Sequence, residues 1–127
     1  MTKTDERALV AALRAALDPT PVYWGFAPFE FAEQPPTLPL VVVQRLNYST
    51  AGYEDMCEDA AYVGDTLLVV NAWALGYELG RDLATEVREA VGAAGGWRLQ
   101  SEADLFEPNV RAWRIEGQWL SGGVPPS

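Results

Sequence analysis

The sequence predicts an α+β domain: an antiparallel or mixed β-sheet of four to five strands with two α-helices packed on one face. Three observations carry this expectation. Leu67 to Ala74 is apolar at nearly every position, as in a strand covered on both faces. Tyr77 to Val91 follows after only Leu75 and Gly76. It repeats apolar side chains as Leu79, Leu83, Val87 and Val91, with Ala84 and Ala90 beside them. That spacing lays one helical stripe on the sheet. Val110 to Leu120 then alternates. Arg111, Trp113, Ile115, Gly117 and Trp119 point one way, and Ala112, Arg114, Glu116, Gln118 and Leu120 point toward a wetter side.

The remaining elements take their places around these. Asp5 to Leu17 reads as a helix capped by Thr4, with Leu9, Val10, Leu13, Ala16 and Leu17 buried, Arg7 and Arg14 in water, and Asp18-Pro19-Thr20-Pro21 as the stop. Val22-Tyr23-Trp24 suits a short edge strand. Gly25 to Pro39 combines four prolines with three phenylalanines, so it covers a sheet edge or reaches toward a partner. Leu40 to Tyr48 is a strand of good β-formers. Ser49 to Ala61 is a polar, acidic loop, and a further strand begins near Tyr62, so the two strands form a long antiparallel hairpin with an extended tip. The stretch Glu54 to Asp65 is expected to be among the most mobile parts of the free protein. Gly92 and Gly95-Gly96 end the second helix, Trp97 to Ser101 is a short strand, and Glu102 to Asn109 is a connection. One domain over 1–120 with a disordered tail over 121–127 follows.

Composition narrows the function. Nine basic and eighteen acidic residues leave a net charge of -9, and no basic residue stands between Arg45 and Arg81. Direct recognition of nucleic acid or of an anionic membrane is therefore disfavoured, because both depend on neutralising phosphates with lysine and arginine. No apolar run is long enough to span a bilayer, and the acidic start is unlike a signal peptide. With no histidine and one cysteine, Cys57, the chain lacks the parts of a zinc site or of a histidine-activated nucleophile. The acids Glu54, Asp55, Glu58 and Asp59 lack the alternating oxygen ligands and central glycine of a calcium loop, and read as a solvated face. Gly76 and Gly80 open a helix after a strand but lack the spacing of a dinucleotide loop, so Gly80 reads as a close-packing position. Trp73, Trp113 and Trp119 read as core. Arg111 and Arg114 beside them fit a protein interface better than a base-stacking platform.

The ordered set of segments resembles the tail completion or tail terminator proteins of long-tailed bacteriophages, small minor tail proteins. The resemblance rests on Leu9 to Leu17, Val22-Tyr23, Ala27-Pro28, Leu38 to Gln44, Val69 to Ala74, Tyr77-Glu78, Leu83-Ala84, Val87 to Val91, Asp104 to Pro108 and Arg111 to Trp119. It departs in the bulky stretch Trp24 to Phe31. It implies a non-enzymatic virion protein without cofactor. Such a protein forms a ring with itself, typically a hexamer, caps the tail tube protein at the head-proximal end, and later meets a head-completion or connector protein. The interface residues expected on this reading are Phe26, Phe29 and Phe31 in the aromatic loop, and Arg45, Arg111 and Arg114 against the acids Glu54, Asp55, Glu58 and Asp59. A small dimeric non-enzymatic adaptor and a small carboxylate-dependent enzyme are the alternatives.

Overall fold

The computed structural model describes residues 3–25, 38–46 and 67–121. The described elements run α1 (Lys3–Leu17), β1 (Val22–Trp24), β2 (Leu40–Leu46), β3 (Leu67–Ala74), α2 (Tyr77–Ala94), β4 (Trp97–Glu107) and β5 (Ala112–Ser121). The five strands form one mixed sheet in the order β1-β2-β3-β5-β4. β1 runs parallel to β2, and every other pairing is antiparallel. The expected hairpin is present, with Leu40 opposite Trp73 and Leu46 opposite Leu67. Its tip lies outside the described residues.

Both helices pack on one face of this sheet and on each other. Leu9, Leu13 and Leu17 of α1 and Leu83, Val87 and Val91 of α2 meet Val41, Val43, Leu68, Val70, Ala72, Ile115 and Trp119. These sheet residues share one parity on each strand, so strand alternation alone delivers them to the helices. The opposite parity builds a second, smaller cluster from Leu40, Val42, Trp73 and Ala112, with Tyr23, Leu38 and Val110 packed against it. β3 is thus buried on both faces, as its apolar run predicts.

Several expectations are corrected. Leu79 is exposed, and Gly80 is the residue that α2 buries near its start. A Cβ at Gly80 would stand 3.4 Å from Ile115 Cγ1 and 3.8 Å from Ala74 Cβ, so the missing side chain lets the helix sit directly on the sheet. Ala16 of α1 is also exposed, and Thr4 lies inside the helix instead of capping it. Gly92 does not stop α2, which runs on to Ala94. Gly95 then closes it at φ 76°, donating its N–H to Val91 O at 3.2 Å. The stretch from Glu102, expected as a connection, continues β4 to Glu107. It pairs with β5 past a register shift between Leu99 and Ser101, and the cross-strand ladder outweighs the low β-propensity of its acids. Arg111 belongs to the β4–β5 turn at φ 52° and not to the strand. Ser121, expected in the tail, is buried as the last residue of β5 opposite Trp97, while 122–127 lie outside the described residues.

Candidate functional site

Among the described residues, the large exposed apolar side chains fall in two places. At the β1 edge stands Trp24, 45% exposed. At the opposite side, where β3 hands over to α2 and β4 turns into β5, Leu75, Tyr77, Leu79 and Phe106 are exposed. Trp113 joins two of them, with Tyr77 edge-on at 4.9 Å between ring centroids and Phe106 at 5.4 Å. Single exposed apolar residues are ordinary; here several stand close together in the chain and in the fold.

Beside the second group, a polar lattice fastens α2 to the outer strand. Arg81 donates to Glu102 at 2.9 Å and to Asp104 at 3.1 Å, Arg88 donates to Glu102 at 2.7 Å, and Tyr77 donates its hydroxyl to Asp104 at 2.7 Å. Burial pushes the Glu102 carboxyl up, but the hydrogen bonds from Arg81 and Arg88 prevail and hold it below the usual glutamate range. The bond to Asp104 raises the Tyr77 phenol above its ordinary value, and the bond to Glu102 does the same for Arg81. These groups hold the helix N-terminal end against β4, so the exposed aromatics sit on a fixed frame.

At the β1 edge the sequence folds an open pocket of about 500 Å³. Arg7 and Arg14 reach it from α1, seven residues and so two turns apart on one helix face, with Val10 and Ala11 between them. Arg45 enters from β2 and Trp24 from β1. Arg14 Nε donates to Val22 O at 3.2 Å, which fixes its stem. Arg45 Nε lies 3.4 Å from the carboxylate of Glu6, whose side chain is nearly enclosed. Three of the nine basic residues therefore line one pocket on a strongly acidic chain.

The three arginines expected at an interface do not come together. Arg45 lies on the helix side of the sheet, at the pocket. Arg114 lies on the other side, where Nη2 donates to Glu107 at 2.6 Å and Nη1 donates to Glu116 at 3.0 Å and to Asn71 Oδ1 at 3.3 Å. Its guanidinium also sits 5.7 Å from the centroid of the Trp73 ring. Its charge is paired within the subunit with Glu107 and Glu116. Arg111 is exposed in the β4–β5 turn. Phe26, Phe29, Phe31, Glu54, Asp55, Glu58 and Asp59 lie outside the described residues. Sequence reasoning missed Arg7, Arg14, Trp24 and the group around Trp113. The seven-residue spacing of the two arginines was a usable signal, whereas the Trp113 group depends on the course of β4.

Among the described residues no group of three or more His, Cys, Asp or Glu could hold a metal ion, and no helix is long and apolar enough to cross a membrane. Comparison with protein-family models and with curated proteins finds no match.

Proposed function

We propose that the protein is a structural component of a long-tailed phage virion that associates head-to-tail into a closed ring and terminates the tail tube. The observation that carries the reading is the placement of exposed aromatic surface on opposite edges of one sheet, Trp24 on β1 and Phe106 on β4. A ring needs two different surfaces on each subunit, facing away from one another, so that each copy offers one and receives the other. A two-fold dimer needs only one self-complementary patch. The resemblance of the ordered segments to tail terminators supplies the ring size, typically six, and the partners: the tail tube protein on one side and a head-completion or connector protein on the other. The acidic balance suits contacts among proteins better than direct contact with packaged DNA.

The test is to add purified protein to polymerising tail tubes and view them by electron microscopy. Rings seated on one tube end, with growth arrested there, are expected. Tubes that lengthen unchecked with bare ends would end this reading.

A further inference from the structure

We infer that the arginine pocket is the receptor for an acidic segment of a second copy of this chain, the stretch from Tyr53 to Tyr62. This deepens the ring reading and rests on it for the identity of the partner. The pocket defines its ligand chemically. Among the described residues, Arg7, Arg14 and Arg45 share the pocket with one carboxylate, Glu6, which is engaged with Arg45. A surplus of guanidinium forks on an open pocket selects carboxylates, which they grip through paired hydrogen bonds. The exposed Trp24 ring, with Val10 and Ala11, offers a flat apolar wall, so the ligand needs an aromatic or apolar group next to its acids. A volume of about 500 Å³ admits a few side chains, not a domain.

The chain's own sequence holds a segment of this chemistry. Tyr53-Glu54-Asp55-Met56-Cys57-Glu58-Asp59-Ala60-Ala61-Tyr62 carries four acids, no base, and a tyrosine at each end. It lies within the interval from Leu46 to Gly80, which contains no basic residue at all. Each copy thus carries a cationic pocket and an anionic segment, unlike and complementary, which adds to the head-to-tail contact of the two edges and is too weak by itself to hold copies together when the Phe106 edge is lost. Glu6 has a definite part in this scheme. It holds Arg45 in the pocket while weakening the field there, so the contact is tuned to be reversible.

The test uses the full-length chain and a fluorescein-labelled peptide of residues 53–62, with anisotropy as the readout. Saturable binding is expected, weaker by about tenfold or more with Arg7→Glu, weaker at high salt, and unchanged by Arg98→Glu, which alters an exposed arginine on β4 away from the pocket. Glu6→Gln should bind the peptide more tightly, because it releases Arg45 without changing shape. No saturable binding, or equal loss with Arg7→Glu and Arg98→Glu, overturns the inference. The mass of the unlabelled protein separates this from the ring reading. Peptide binding by a chain that never oligomerises upholds the pocket's chemistry but overturns a second copy as its source, and removes the ring. Rings that persist in Arg7→Glu while peptide binding is lost uphold the ring and overturn the pocket as its contact.

Discussion

The centre of the sheet and its two edges follow different rules of construction. β2, β3 and β5 spend their side chains inward: Val41, Val43, Leu68 and Ile115 are all but inaccessible on the helix side, and Leu40, Val42 and Trp73 are buried on the other. β1 and β4 bury only part of what they carry and leave Trp24 and Phe106 half exposed. The difference teaches where stability resides, and which surface is left for the association proposed above. Removing a side chain from the centre opens a cavity, whereas changing an exposed one at an edge, such as Trp24 or Phe106, alters the surface and leaves the core intact.

The largest expected effect belongs to the centre. Ile115→Ala or Leu13→Ala should cost about 2–5 kcal/mol in urea unfolding, the range for truncating a fully buried aliphatic residue. Leu79→Ala, at a position with helical spacing but 64% exposed, should change stability by less than about 0.5 kcal/mol. Equal losses at Leu79 and Leu13 would break the division between centre and edge.

Arg114→Ala comes next. It leaves Glu107, Glu116 and the buried Asn71 without their shared donor, and a loss of about 1–3 kcal/mol should follow. A double-mutant cycle with Glu107→Gln should show coupling between the two. Additive losses would mean that the network is ornamental.

The lattice between α2 and β4 sharpens the comparison through pH. The Glu102 carboxyl is held below its ordinary value of 4.5 by Arg81 and Arg88. Its contribution is therefore fully present above that value and is lost as pH falls through the lower folded value. In Arg88→Ala the loss on acidification below about pH 4.5 should shrink, by no more than about 1 kcal/mol for so exposed a pair. An acid limb of the stability profile identical in both proteins would contradict the assignment.

The smallest effect is expected at Gly80. Alanine gains helix propensity worth up to about 1 kcal/mol, but its methyl meets Ile115 at the margin of ordinary contact, so the two nearly offset. Thermal unfolding should move little for Gly80→Ala and fall sharply for Gly80→Leu, whose longer side chain would lift α2 from the sheet.

Much of this division was legible in the sequence, for a physical reason. β3 and α2 show strong periodicity because their burial is decided by near neighbours in the chain, and the hairpin register follows from the same alternation. The continuation of β4 was not legible, because Glu102 and Asp104 are poor strand formers whose partners, Arg81 and Arg88, stand a helix away. Leu79 misled because helical spacing cannot tell a side chain that meets the sheet from one that clears its end. The arginine pocket depended on placing α1 beside the β1–β2 edge, a long-range contact that no local pattern encodes.

The central claim, head-to-tail association through unlike edges, is tested most directly by mixing two single-edge variants, Trp24→Glu and Phe106→Glu, under native mass spectrometry. Each keeps one intact edge, so each alone should be monomeric, and the mixture should give a one-to-one heterodimer that grows no further. Wild type under the same conditions should reach the closed ring. A two-fold homodimer formed by either variant alone would contradict the account and favour a dimeric adaptor.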